Sequence, residues 1–190
     1  MSQAIDVDFE VTVARTMLAE LEAYLKSDVV YWQTAPNPLG DRMPKLTIGG
    51  LLESLARAEA AGSTAVRSMR TTLESIRSQR PDRYVARAEQ EARSRLDAWS
   101  WYLDDYARKP VDVAGYYPSE VRARLKAELL LEVLASQRRG QAERHRADAL
   151  DERVRASFQP GAFVWDDRLK PIFPPDRCWW LYGRLRVPED

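Results

Sequence analysis

The chain contains one cysteine and one histidine, and no apolar run that approaches the length of a membrane span. Each shortage removes a class of chemistry. A single thiol, Cys178, permits no intrachain disulfide and no cysteine-built zinc site. A single imidazole, His145, cannot furnish the two Glu-x-x-His pairs of a di-iron bundle. Asp148 and Glu152 can share its helix face, but in AERHRADALDER the group reads as a solvated polar surface. No nucleophile elbow and no Walker-type glycine pattern is present. No metal, cofactor or catalytic residue is therefore assigned, and the chain is read as a non-enzyme. Without an apolar stretch of about 18 residues, no membrane partner is expected. The opening residues MSQAIDVDFE lack a signal peptide's apolar core, so a reducing cytoplasm is the expected compartment.

Lysine is scarce too, 5 against 24 arginines. Arginine suits ion pairs and phosphate, and it is also what a GC-rich genome supplies. The 29 basic and 29 acidic residues cancel, so no single-sign field draws nucleic acid to the whole surface. The 190 residues suit one domain spanning the whole chain.

What is present is amphipathic helix. From about Phe9 to Ser27, Val11, Ala14, Leu18, Leu21 and Leu25 recur on one helical face. Thr47 is a plausible N-cap, and the stripe Leu51, Leu55, Ala58, Gly62, Ala65, Met69, Leu73 and Ile76 keeps phase, predicting one long helix to Gln79. In that helix Gly62 would let a neighbouring backbone approach closely. Pro81 opens a third helix, Asp82 to Lys109, forming an antiparallel hairpin with the second. A fourth runs from Pro118 to about Gln137, with Arg124, Glu128 and Glu132 as an outward ion-pair ladder. Gly140 marks a break before a fifth, about Ala142 to Ser157. The expectation is an all-α bundle of about five helices.

The last stretch differs. Residues 158–185 hold three of six tryptophans, three of four phenylalanines and four of eleven prolines. They are too apolar to float free and too rich in proline for helix. Residues 158–190 therefore read as an aromatic clasp on the bundle, with 162–165 and 179–185 able to pair as a short hairpin.

Three places invite a partner. The loop from Val29 to Leu46 is long for a helix connection, and a fixed, exposed loop loses little entropy on binding. Tyr31 and Trp32 should anchor it, Thr34 to Arg42 should stand in solvent, and Tyr31, Trp32, Asn37, Asp41 and Arg42 are the expected partner contacts. The arginines gather around the second-to-third helix turn (Arg67, Arg70, Arg77, Arg80, Arg83, Arg87) and after the fourth helix (Arg138, Arg139, Arg144, Arg146). Meeting at one end, they would hold a nucleic-acid backbone through Arg67, Arg70, Arg138 and Arg139. Gly49-Gly50 could present helix-start amides to an anion, although close packing of the helix start under the aromatic tail explains them better. The expected function is an interaction or scaffold subunit, binding another protein or a copy of itself. A nucleic-acid-backbone contact is the alternative, and a pocket under the tryptophan-rich tail ranks third.

Overall fold

The computed structural model describes residues 4–35 and 37–187. Helix α1 (Val7–Lys26) starts where the Asp6 carboxylate accepts from the Phe9 N–H at 3.1 Å. It buries Val13, Ala14, Met17, Leu18, Leu21, Tyr24 and Leu25, the face its spacing predicts. Helix α2 (Ile48–Ala60) is capped by Thr47, whose Oγ1 accepts from the Gly50 N–H at 3.0 Å.

The long helix expected from Thr47 to Gln79 is two helices, because the chain turns a corner before α3 (Val66–Gln79). Gly62 adopts a left-handed φ of +80°. Its N–H bonds to Glu59 O at 2.9 Å, and the Ser63 N–H reaches Ala58 O at 3.0 Å. This pair of bonds closes a helix C-terminus and favours glycine at the turning residue. No atom lies within 4 Å of where a Gly62 Cβ would stand, so the glycine serves the backbone turn, not a close approach. The apolar stripe keeps its phase because Val66, Met69, Leu73 and Ile76 re-enter the core beyond the corner. The expected long hairpin is thus replaced by a bent arm whose second half also packs on α1.

Helix α4 (Pro81–Arg108) is 28 residues, about 42 Å long. A one-turn helix α5 (Pro110–Val113) leads into α6 (Tyr117–Ala135), and α7 (Gln141–Ser157) follows the break at Gly140. Among the described residues six helices have 13 or more residues, one more than expected because of the α2–α3 corner. Helix α6 runs through the middle, against α4, α2, α7 and the tail. That position overturns most of the outward ladder: Arg124 and Glu128 are 1% and 6% exposed, since α7 and the tail cover the side taken for solvent, while Glu132 stays exposed as expected.

Strand β1 (Phe158–Phe163) continues directly from α7 and pairs antiparallel with β2 (Tyr182–Leu185). Phe158 stands opposite Leu185, with an irregularity between Pro160 and Phe163. The expected pairing is present with shifted bounds: the first strand begins four residues earlier and ends at Phe163, and the second begins only at Tyr182, because Trp179–Leu181 forms a turn of 3-10 helix. Between the strands lie a turn at Asp167–Leu169, which Asp166 caps, and the one-turn helix α8 (Pro175–Cys178). The tail buries Phe163, Leu169, Phe173, Cys178, Trp180, Leu181 and Leu185 against the helices of its own chain, in one apolar cluster with the helical core. No described helix is long and apolar enough to cross a membrane.

Candidate functional site

The segment joining α1 to α2 is closed at its neck. Trp32 and Leu46 exchange main-chain bonds, N–H to O, at 3.1 and 2.8 Å. The Glu20 carboxylate on α1 accepts from the Trp32 indole N–H at 2.6 Å and the Ala35 N–H at 2.7 Å. Tyr31 rests on α4: its ring lies 5.1 Å from the Arg95 guanidinium, and its hydroxyl shares a 2.8 Å bond with Ser94 Oγ. Inside the neck Gly40–Arg42 makes a single turn of 3-10 helix. Asn37, Asp41 and Arg42 all lie exposed at the tip, and Arg42 also approaches the Phe9 ring, 5.8 Å from its centroid. Thr34 departs from expectation, being buried at 3% exposure with no partner for its Oγ1. The solvent-facing part therefore begins after it, and Met43 closes it off by turning into the core. The sequence reading missed Glu20 and Arg95, the two charged residues that fix the neck. Both fall off the apolar stripes, where a charge reads as ordinary surface.

The arginine clusters are only half united. Arg138 and Arg139 occupy the α6–α7 turn, and Arg139 lines a cleft of about 320 Å³ beside Pro81 and Asp82 at the α3–α4 corner. That juxtaposition is the one the sequence suggested. Arg67 and Arg70, however, sit in the first two turns of α3, about 15–20 Å along its axis from that corner. They border a separate cleft of about 500 Å³ with Glu59. Arg139 pairs with Glu89 at 2.9 Å and Arg70 with Glu59 at 2.6 Å. Arg87 is buried, donating to the Ser27 carbonyl and lying over the Tyr24 ring.

A second group of charges lies inside. Arg124 donates to both Asp151 oxygens at 2.8 and 2.9 Å and to Glu128 at 2.9 Å, with its guanidinium 3.9 Å above the Trp180 ring centroid. Glu128 also accepts two bonds from Arg144, at 2.8 and 3.0 Å. Burial alone would raise the Glu128 pKa, but Arg144 and Arg124 outweigh it and hold the group below the ordinary carboxylate range. Glu53 on α2 is opposed by Lys126 at 3.3 Å and Arg122 at 2.7 Å. Against the upward pull of burial, Lys126, Arg122 and Arg57 bring its pKa down to about 2. Burial pushes the Cys178 thiol up to about 11, which leaves it a poor nucleophile.

The amide of Gly49, read as a candidate anion donor, already has its anion. It donates to the buried Glu91 carboxylate at 2.9 Å, and a Cβ on Gly49 would meet that carboxylate at 2.8 Å. Close packing is the right account, although the helix start packs against α4 and α6 rather than under the tail. The space around the tail is similarly unreactive. Directly beneath Trp180 lies the Arg124 network, and the cleft of about 620 Å³ outside the hairpin is lined by one ionisable side chain, Arg184. His145, Asp148 and Glu152 are exposed, as on a solvated face. No known protein family, curated protein or solved structure matches this chain. The buried acids and bases face one another, and the side chains without an internal role collect on the loop tip and the outer helix faces.

Proposed function

We propose that this protein is a non-enzymatic interaction or scaffold subunit that engages another protein through the tip of the loop between Trp32 and Leu46. One observation carries the reading. The neck is tied to α1 and α4 by main-chain, carboxylate and aromatic contacts, while Asn37, Asp41 and Arg42 stand exposed at the tip. A loop fixed before binding loses little conformational entropy when a partner docks. The tip offers a carboxylate, a carboxamide and a guanidinium, a polar set suited to hydrogen bonding at the rim of a protein interface.

The test replaces residues 37–41 with a Gly-Ser linker in a tagged chain and compares captured partners. The partner held by the wild-type protein should be lost while helicity by circular dichroism stays the same. A partner retained by the linker variant overturns the reading. The meeting of the α6–α7 turn with the α3–α4 corner supports a second reading, contact with a nucleic-acid backbone through Arg138 and Arg139. It requires binding that weakens steeply with salt, since each neutralised phosphate releases counterions. The partnering of Arg139 by Glu89 and of Arg70 by Glu59 weighs against it.

A further inference from the structure

Trp101 is 68% exposed, the most open large apolar side chain among the described residues. It stands on the outer face of α4, out of phase with the buried Trp99, Tyr102 and Leu103. Two ion pairs to α7 frame it. Asp97, four residues before it, pairs with Arg146 at 2.7 Å, and Asp104, three residues after it, pairs with Arg153 at 2.6 Å. The order of these pairs shows that α4 and α7 run parallel. Ala149, exposed, lies on α7 between Arg146 and Arg153. Both rungs of this ladder thus have the acid on α4 and the base on α7. The indole rises on the acidic side, and a bare methyl shelf lies on the basic side. The four charged side chains are 40–52% exposed, so each keeps donor or acceptor positions at its outer edge.

We propose that this α4–α7 face is a self-association surface whose occupant is a second copy of the chain. The charge pattern selects both the partner and the arrangement. With a two-fold axis along the groove between the helices, α4 of the second copy lies over α7 of the first. Asp97 and Asp104 of each copy then stand over Arg146 and Arg153 of the other, and each Trp101 descends on the opposite Ala149. An axis across the groove would instead stack Asp97 on Asp104 and Arg146 on Arg153, which repel. Only the first arrangement satisfies all four charges and covers both indoles. Exposed tryptophan beside arginine is also the composition of interface hot spots. The surface is separate from the loop tip, so it stands or falls independently of the loop's partner.

The test is sedimentation velocity on the full chain over a hundredfold range reaching about 100 µM. A species of twice the 21.8 kDa chain mass should grow with concentration. Trp101→Glu should weaken association by about thirtyfold or more. Asp104→Arg should do the same, and adding Arg153→Asp should restore the dimer by recreating both the internal and the cross-copy pairs. Circular dichroism of each variant establishes that it is folded, and the loop-replaced protein should remain dimeric. A wild-type chain that stays monomeric throughout overturns the proposal. So does a folded Trp101→Glu variant that associates like the wild type, or a folded double variant that stays apart.

Discussion

Two segments of this chain trade helix for prolines and aromatics, and they end differently. The tail is held by Tyr117 Oη–H to Trp180 O at 2.7 Å, Trp165 Nε1–H to Pro118 O at 2.8 Å and Tyr106 Oη–H to Arg186 O at 2.6 Å. The loop between α1 and α2 uses the same kind of bond, side chain to main chain, but only at its neck. Aromatic anchors separate them. In the tail Phe163, Trp165, Leu169, Phe173, Trp179 and Trp180 recur every few residues, so no stretch is free to leave the surface. In the loop no aromatic follows Trp32 before α2; Leu39 packs on the core and Met43 is buried, while Asn37, Asp41 and Arg42 are exposed. Proline content, similar in both, does not decide exposure. The aromatic anchors do.

The sharpest way to break the tail's seat is Arg124→Ala. It strands Asp151 in the interior, leaves Glu128 to Arg144 alone and removes the cation over Trp180. Breaking one partner of a buried ionic group costs about 3–5 kcal/mol. Chemical denaturation should show a loss of that size, with tryptophan emission shifted to the red before the helices melt. Replacing Arg124, Glu128 and Asp151 together by apolar residues of similar volume should cost far less, because the one charge left without its partner, Arg144, is partly exposed to water. A triple variant as unstable as Arg124→Ala would show that the network does more than neutralise itself.

Acid acts on the same interior at a smaller scale. Glu53 and Glu128 both have folded pKa values below their ordinary one, so their stabilisation is complete above the unfolded value of 4.5 and fades as the pH falls through the folded values. For Glu53, with a folded pKa of about 2, the stake is about 3 kcal/mol. Wild-type stability should therefore drop between pH 4.5 and about 2. Glu53→Gln should start lower at neutral pH and fall less over that window. An equal fall in both proteins would remove Glu53 from the account.

The sequence made the helices legible because their apolar residues repeat at three and four, and the tail because its aromatics crowd. It concealed what depends on the third dimension. Arg124 and Glu128 follow the spacing of an exposed ladder, and nothing local says that α7 and the tail will cover it. Gly62 lies in phase with an apolar stripe, so a corner looked like a continuous helix; a glycine flanked by Ala61 and Ser63 was the available signal. The loop was legible as a loop, with Tyr31 and Trp32 as its anchors, but Glu20 was not, since a carboxylate on a helix reads as solvated. Trp101 left a trace, an aromatic out of phase with Trp99, Tyr102 and Leu103.

A matched pair of small changes tests the difference between tail and loop most directly. Tyr117→Phe removes the hydroxyl that reaches the Trp180 carbonyl, and Glu20→Gln takes the charge from the acceptor of the Trp32 indole. Tyr117 is fully buried, so the orphaned carbonyl finds no water, and a loss of about 1–2 kcal/mol is expected. Trp32 is half-buried and Ala35 exposed, so the amide oxygen and water together can replace most of what Glu20 supplies. There the loss should be about 0.5 kcal/mol, near the floor for a solvated hydrogen bond. The effects should reverse in hydrogen exchange, where Glu20→Gln speeds exchange of the Ala35 amide and Tyr117→Phe leaves it unchanged. If Glu20→Gln proved as destabilising as Tyr117→Phe, the loop would be part of the folded core, as the tail is, and its tip would lose the independence that suits it to a partner.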